Sequence, residues 1–385
     1  MLARSSGSLV LLASSVLGLN FLALPTAEAA AVPSAEYVPL HLTPMPGDSG
    51  TYANAVNDAG TVVGQSGRRP VRWDRDDRVS ALPLPRGYTG GSPTSVNDSG
   101  EIGGNVYLGD WESLHPVRWN RAGRVEELPL PPGAISSAGA VINARGSVMG
   151  NAMTPDYRYH AARWDARGRL VTLEALDGGE SQAVAINDRD EMAGIARDTS
   201  GYLVGVKWSA DGKITKLPPP EGYYPLSVNN RGSILGTTIV WDRRGHVTRL
   251  GTDPSLQGAS GAKLNDHDEV LGQGRDLNQR ARCVRWDRLG RIAVLGSLPQ
   301  DAESRCSDLN NAGMVVGESS RANPGERNPL PVYWDRRGTI TALPLPPDLP
   351  DTFEAQHVSE RGNVIIGIGY DGASSTYRGV VWRRR

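Results

Sequence analysis

Apolar and polar residues alternate in short runs along most of the chain, which is typical of half-buried β-strands. A longer unit repeats over these runs with a period of roughly 40 to 50 residues, as in solenoids and propellers. Each unit carries an Asn-Asp-x-Gly turn, an apolar run, a Trp after a variable gap, and a turn of the Asp-Arg-x-Gly kind. The turn Asn is Asn57, Asn97, Asn143, Asn187, Asn229, Asn265 and Asn310, with Ser359 in the eighth place. The Trp is Trp73, Trp119, Trp164, Trp208, Trp241, Trp286, Trp334 and Trp382.

Each unit predicts four short strands, named a to d. Strand a ends just before the Asn, and the Asn-Asp-x-Gly turn is typical of a tight hairpin in which Gly takes a positive φ. Strand b is the following apolar run, whose recurrent glycine (for example Gly272) indicates close approach of a backbone or a Trp ring. Strand c carries the Trp. Strand d often ends in Leu-Pro, which favours the outer edge of a sheet because proline cannot donate a ladder hydrogen bond.

The sequence therefore predicts an all-β fold, an eight-bladed β-propeller of four-stranded blades. The eighth unit lacks its own strand d after Trp382, and the segment 37–42 resembles a strand d. We expect this N-terminal strand to complete the last blade and close the ring, because radial closure removes most free sheet edges. A parallel β-helix is the alternative, but its coils are shorter than these repeats.

The first 29 residues differ from the rest. Arg4 precedes an apolar stretch from Leu9 to Leu24, and Ala27-Glu28-Ala29 offers a small-x-small cleavage site. This pattern is typical of a secretory signal peptide cleaved near Ala29, whereas a membrane-spanning helix needs about 20 apolar residues. We expect residues 1–29 as signal peptide, 30–36 as a short linker and 37–385 as one propeller domain. The protein is expected to be secreted, extracellular and not inserted in a membrane.

Charge argues against nucleic-acid binding. The chain has 41 basic and 42 acidic residues, a net charge of −1, and no concentrated basic block. A nucleic-acid surface needs such a block to displace counterions. We expect a monomer.

Aromatic residues that the repeat does not explain collect in the b–c and d–a loops, which emerge on one face of the predicted disc. Rings on a rigid scaffold suit a sugar or peptide ligand, although they also suit mutual packing over the disc. Blades 2 and 3 offer the best patch. The predicted ligand-binding residues are Tyr107, Trp111, Tyr157, Tyr159, Tyr202, Tyr223 and Tyr224.

No metal, cofactor or catalytic site is predicted. The repeated turn aspartates, such as Asp58 and Asp188, suggest calcium by composition, but each belongs to a separate blade and a hairpin role accounts for it. The six histidines show no metal-site spacing and accompany no nucleophile motif.

Cys283 and Cys306 occupy places that hold small residues in other repeats, in the predicted blades 6 and 7. In an exported protein this pair predicts a disulfide between two blades. Two free buried thiols are the alternative.

The stretch His160-Ala161-Ala162-Arg163-Trp164, followed by Gly178-Gly179-Glu180-Ser181 and Ala185-Ile186-Asn187-Asp188, resembles the bacterial extracellular HAF-repeat family. The resemblance covers about residues 50 to 385. It implies export and a repeat fold, and it brings no established activity or catalytic residues.

Two functions from different classes remain open. We favour a secreted, non-enzymatic propeller that binds a polysaccharide or protein ligand through the face bearing the b–c and d–a loops. The alternative is a secreted propeller glycoside hydrolase or polysaccharide lyase with acids at the central channel. Two or three carboxylates meeting at the channel mouth would favour the enzyme.

Overall fold

The computed structural model describes residues 36–109, 113–177, 179–220, 222–321, 329–347, 353–371 and 376–385. The regular elements in these ranges are strands, arranged in eight antiparallel sheets of four. The predicted signal peptide and nearly all of the predicted linker lie outside the described residues. No helix in the described part of the chain is long and apolar enough to cross a bilayer.

Each sheet is one blade, with its strands in the order a-b-c-d. Strands a are Thr51–Val56, Gly90–Val96, Ser136–Ile142, Ser181–Ile186, Ser227–Val228, Leu256–Leu264, Glu303–Leu309 and Phe353–Val358. Strands b are Val62–Ser66, Ile102–Tyr107, Val148–Met153, Met192–Arg197, Ile234–Leu235, Val270–Asp276, Val315–Ser320 and Val364–Asp371. Strands c are Arg69–Trp73, Leu114–Trp119, Tyr159–Trp164, Leu203–Trp208, Ile239–Trp241, Ala281–Trp286, Leu330–Trp334 and Thr376–Arg384. Strands d are Val79–Ala81, Val125–Glu127, Leu170–Val171, Ile214–Lys216, Val247–Arg249, Ile292–Leu295, Ile340–Ala342 and Tyr37–His41.

The predicted fold class, an eight-bladed propeller closed by an N-terminal strand, is confirmed. Tyr37–His41 pairs antiparallel with Thr376–Arg384, so the first strand of the chain is strand d of the eighth blade. Tyr37 is buried in the core of that blade, and its hydroxyl donates to the carbonyl of Gly362 over 2.5 Å. The ring is thus closed by pairing between the two ends of the propeller.

The eight repeat tryptophans form the core of the ring and also join neighbouring blades. All eight are fully buried. The indole of Trp119 donates to the carbonyl of Pro83 in blade 1 over 2.7 Å, and that of Trp73 reaches Thr43, just beyond the N-terminal strand. The other six make the same bond to the preceding blade. A buried indole N–H needs an acceptor. Because the Trp recurs at the same position of every repeat, each blade makes the same contact with the preceding one.

The strand b glycines leave room for these rings, as the sequence indicated. A Cβ at Gly272 would lie 2.0 Å from the carbonyl oxygen of Ser260 and 2.7 Å from the ring of Trp286. No side chain fits there without moving backbone.

The turn asparagines form a second ring of contacts. Asn57 accepts the N–H of Thr61 within its own hairpin, while its amide donates to the carbonyl of Asn97 in the next blade over 2.9 Å. The same bond to the next blade recurs from Asn97 through Asn310. At the eighth turn, where Ser359 has no amide, Asn363 donates instead to the carbonyl of Asp58. The turn Asn therefore has the hairpin role expected from the sequence and, in addition, joins its blade to the next one.

Candidate functional site

The disc has two different faces. The a–b and c–d turns emerge on one, here called the turn face, and the b–c and d–a loops emerge on the other, the loop face. Strands a of neighbouring blades contact one another and surround the axis. At the turn face their ends enclose a cavity of about 340 Å³, lined by residues of seven blades.

Carboxylates from separate blades meet at this cavity. Asp58, Asp98, Asp188, Asp308 and Glu360 all line it. The turn aspartates belong to separate blades, as the sequence indicated, but they line one cavity because every strand a ends at the same axis.

In seven of the eight blades the residue after the turn Asn (or Ser359) accepts a backbone N–H of the preceding blade, which corrects the hairpin role expected for it. Asp98 accepts the backbone N–H of Asp58 over 2.9 Å, and Asp188 accepts that of Ala144 over 2.8 Å. The contact continues through Asn230, Asp266, Asn311 and Glu360, and Asp58 closes it by accepting the N–H of Arg361. This series of bonds is interrupted between blades 2 and 3, because Ala144 of blade 3 has no side-chain oxygen to accept a backbone N–H of blade 2. Most of the acids are therefore part of the scaffold.

Lys263, Asp308 and His357 form a charged group in the wall of the same cavity. They come from blades 6, 7 and 8 at the equivalent place in strand a, opposite Leu271, Val316 and Ile366 in the strand registers. The Lys263 ammonium contacts Asp308 Oδ1, and His357 Nδ1 lies 3.7 Å from Asp308 Oδ2. The Lys263 and His357 side chains are 41% and 47% exposed, whereas that of Asp308 is 4% exposed. One buried carboxylate thus holds a cation on one side and an imidazole on the other.

Asp308 is ionised in this environment. Burial pushes the pKa of Asp308 upward, but the charge of Lys263 and the contacts with His357 outweigh burial and lower that pKa to about 2. The backbone N–H groups of Leu309 and Val358 also donate to its oxygens, over 2.9 and 3.0 Å. A buried charge persists when it is paired and hydrogen-bonded in this way.

This group was not predicted from the sequence, although a signal exists. The position two residues before the turn Asn (or Ser359) is small or apolar in the first five blades and charged or titratable in the last three. Its occupants are Ala55, Ser95, Val141, Ala185, Ser227, Lys263, Asp308 and His357. Comparing this position across repeats would have singled out the three.

The predicted aromatic residues that the structure describes lie on the loop face but do not form one cluster. Tyr157 is 77% exposed, and Tyr159, Tyr202 and Tyr224 are exposed as well. None of these four makes a ring contact with another within the described ranges. Trp111 lies outside the described residues.

Two of the predicted tyrosines are engaged by the fold. Tyr107 is fully buried, packs against Gly90 and has the Arg68 guanidinium 6.0 Å from its ring centroid. Tyr223 is half-buried, and hydrogen bonds with Thr238 and Arg249 lower its pKa. Their rings therefore offer less surface to a ligand than the four exposed tyrosines.

Blade 3 carries a cavity of about 440 Å³, whose lining residues Thr154 and His160 lie on either side of Tyr157 and Tyr159 in the sequence. Pro131, Pro132, Thr154 and His160 are among its lining residues. Tyr157 follows in the turn that begins at Thr154, with the left-handed φ of 61° that a bulky residue adopts at a cost.

A tyrosine cluster that was not predicted joins blades 8 and 1 on the loop face. Tyr370 and Tyr377 are register partners flanking the b–c loop of blade 8, with ring centroids 5.2 Å apart, and Tyr52 lies 5.5 Å from Tyr377. All three rings are 37–46% exposed. The sequence does not single out Tyr52, because it lies in strand a, where the alternating pattern accounts for it.

Cys283 and Cys306 form a disulfide. It joins strand c of blade 6 to strand a of blade 7. The predicted disulfide between these two cysteines and these two blades is therefore confirmed. In the described part of the chain, no three His, Cys, Asp or Glu side chains are placed to hold a metal ion.

Comparison with known proteins finds distant structural similarities and no matching family. No family model matches the chain, and no curated protein matches it. Solved structures with propeller-like similarity include a puromycin hydrolase at 15% identity, covering 84% of this chain and 58% of that one, with a TM-score of 0.49. A virginiamycin B lyase from Staphylococcus aureus covers 91% of this chain and 100% of its own at 13% identity and a TM-score of 0.46. A lectin from Burkholderia pseudomallei covers 81% and 99% at 12% identity and a TM-score of 0.40. These similarities are too distant to carry an argument about function.

Proposed function

We propose that this protein is an exported propeller of the HAF-repeat type whose loop face binds an extracellular polysaccharide, or as the second candidate a protein ligand, without catalysing a reaction on it. The sequence supports export through its signal-peptide pattern. The division of the disc supports the choice of face, because the turn face consists of short stereotyped turns tied to their neighbours. Variable loops on a rigid scaffold are where binding residues concentrate.

The observation that carries this proposal is the cluster of Tyr52, Tyr370 and Tyr377. Three exposed rings, with Tyr377 packed between Tyr52 and Tyr370, present apolar faces with polar tips, the combination on which sugar rings stack while their hydroxyl groups find hydrogen bonds. Rings already held against each other lose little further conformational entropy when a ligand binds. The exposed Tyr157 and Tyr159 of blade 3 offer a second contact along the same face.

A binding screen against soluble bacterial and plant polysaccharides tests the proposal. The mature protein should retain at least one polysaccharide, and Tyr377→Ala should weaken that binding by about tenfold or more, because removing a central stacked ring costs roughly 1–2 kcal/mol. Binding by Tyr157→Ala shows whether Tyr157 and Tyr159 of blade 3 also contact the polysaccharide. Leu289→Ala, an exposed residue in a c–d turn of the turn face, is the matched control and should leave binding unchanged.

Equal loss of binding in Tyr377→Ala and Leu289→Ala would contradict a loop-face site. Retention of proteins but of no polysaccharide would replace the polysaccharide with a protein ligand. No retention of either would overturn the proposal.

A further inference from the structure

The charges of Lys263, Asp308 and His357 are not a requirement of the repeat. Five blades close the same place in strand a with Ala, Ser or Val. Placing a charged carboxylate in the interior has a large desolvation penalty, and apolar residues of similar size usually serve stability as well or better. Three consecutive blades nevertheless place an ammonium, a carboxylate and an imidazole side by side at the mouth of one cavity.

We propose that this cavity is a catalytic site for the hydrolysis of small, uncharged carboxylic esters, with His357 as general base and Asp308 as its positioning residue. Asp308 faces His357 Nδ1, which leaves Nε2 to accept a proton, as in other carboxylate-oriented imidazoles. Lys263, held on the other side of Asp308, provides a cation for developing negative charge. This inference concerns the turn face and does not depend on the loop-face proposal.

The reaction follows from these roles. His357 takes a proton from water as the water oxygen bonds to the carbonyl carbon, and the π electrons move to the carbonyl oxygen beside the Lys263 ammonium. The adduct then collapses, the bond from carbon to the alcohol oxygen breaks, and that oxygen takes the proton from His357. Water and ester become carboxylic acid and alcohol, with no oxidant or reductant involved.

The size and charge of the cavity define the substrate class. About 340 Å³ accommodates a small ester rather than a polymer segment. Asp58, Asp98 and Asp188 line the same cavity, and their charges would repel an anionic substrate. Carboxylates meet at this channel mouth, as a glycoside hydrolase or polysaccharide lyase would require, but the proposed chemistry belongs to the Lys-Asp-His group and acts on a small ester rather than on a polysaccharide.

Release of p-nitrophenol from p-nitrophenyl acetate and butyrate by the mature protein tests the assignment. Wild type should show saturable turnover above the blank, and His357→Gln should lower kcat by about a hundredfold or more, the usual contribution of a general base. Asp308→Asn should lower kcat by about tenfold or more with little change in KM, because Asp308 acts through His357 rather than on the substrate. A merely structural role would instead lower the melting temperature without this separation.

His246 supplies the matched control. Its Nδ1 lies 2.9 Å from Asp242 Oδ2, a closer Asp–His pair, but it is exposed in a c–d turn and lies outside the cavity. His246→Gln should keep wild-type turnover. Absence of saturable turnover in wild type, full turnover in a folded His357→Gln, or equal loss in His246→Gln would each overturn the site.

Discussion

The turn residues of each repeat act on two blades at once. Asn187 accepts the N–H of Glu191 in its own hairpin, and its amide donates to the carbonyl of Asn229 in the next blade. An Asn has both an acceptor and a donor, so one side chain can close a turn and join a neighbour. This double role explains why the turn keeps Asn in seven blades.

The residues after the turn Asn form a ring of hydrogen bonds between blades, and Ala144 is the one member of that ring without a side-chain acceptor. Ala144→Asn supplies the oxygen that Asn230 and Asn311 provide elsewhere. We expect the free energy of unfolding to rise by about 0.5–1.5 kcal/mol, the usual net value of one hydrogen bond, as measured by urea unfolding. Ala59→Asn, at an exposed turn position outside the ring, is the control and should change stability by less than about 0.5 kcal/mol. No gain in Ala144→Asn would show that this side-chain ring adds nothing to stability.

Asp308 makes stability depend on pH in the acid range. Its pKa of about 2 in the folded protein lies below the ordinary 3.8, so its contribution is complete above about pH 4 and is lost as the pH falls from about 4 towards 2. Between pH 6 and pH 3, wild type should lose about 1 kcal/mol more unfolding free energy than Asp308→Asn, from 1.36 kcal/mol per unit of pKa. Parallel pH profiles from urea unfolding of the two proteins would contradict this assignment.

At the residue scale, the sequence reveals the scaffold better than the sites. The eight Trp and the turn Asn were identified because they repeat. Lys263, Asp308 and His357 do not repeat, and Asp308 contacts the other two because neighbouring strands a about 50 residues apart lie side by side at the axis. Tyr52 and Tyr377 are separated by nearly the whole chain and touch because the ring closes. Such contacts leave no local pattern in one sequence.

Among the elements, the strands could be predicted well because the period-2 pattern and the turn residues agree. The outer strands d are short and partly exposed, and each pairs only with strand c of its own blade. Blades are therefore joined mainly through strands a, the Trp indoles and the turn side chains. The disulfide is the covalent addition to these contacts, linking residues 23 apart in the sequence.

Reducing the disulfide should lower the free energy of unfolding by about 3 kcal/mol, the loop-entropy value for a loop of this length. Urea unfolding with and without reductant measures the change. The double variant Cys283→Ala/Cys306→Ala should be less stable than wild type and insensitive to reductant. Two thiols titrating in denatured, unreduced protein would show that the bond is absent.

At the scale of the whole molecule, the ring depends on strand Tyr37–His41. Without it, strand Thr376–Arg384 would have an open edge, and unpaired edges promote association. Closure also brings Tyr377 to Tyr52 and places His357 beside the blades that complete the cavity. Both proposed sites therefore exist only in the closed ring.

Hydrogen exchange measured by mass spectrometry tests this closure most directly. Amides in Tyr37–His41 should be protected, exchanging no faster than those of Thr376–Arg384, because the two strands form one sheet and open together. If Tyr37–His41 exchanges at the rate of an unfolded chain while Thr376–Arg384 stays protected by its pairing with Val364–Asp371, the ring is not closed by this strand and the account of both faces is wrong.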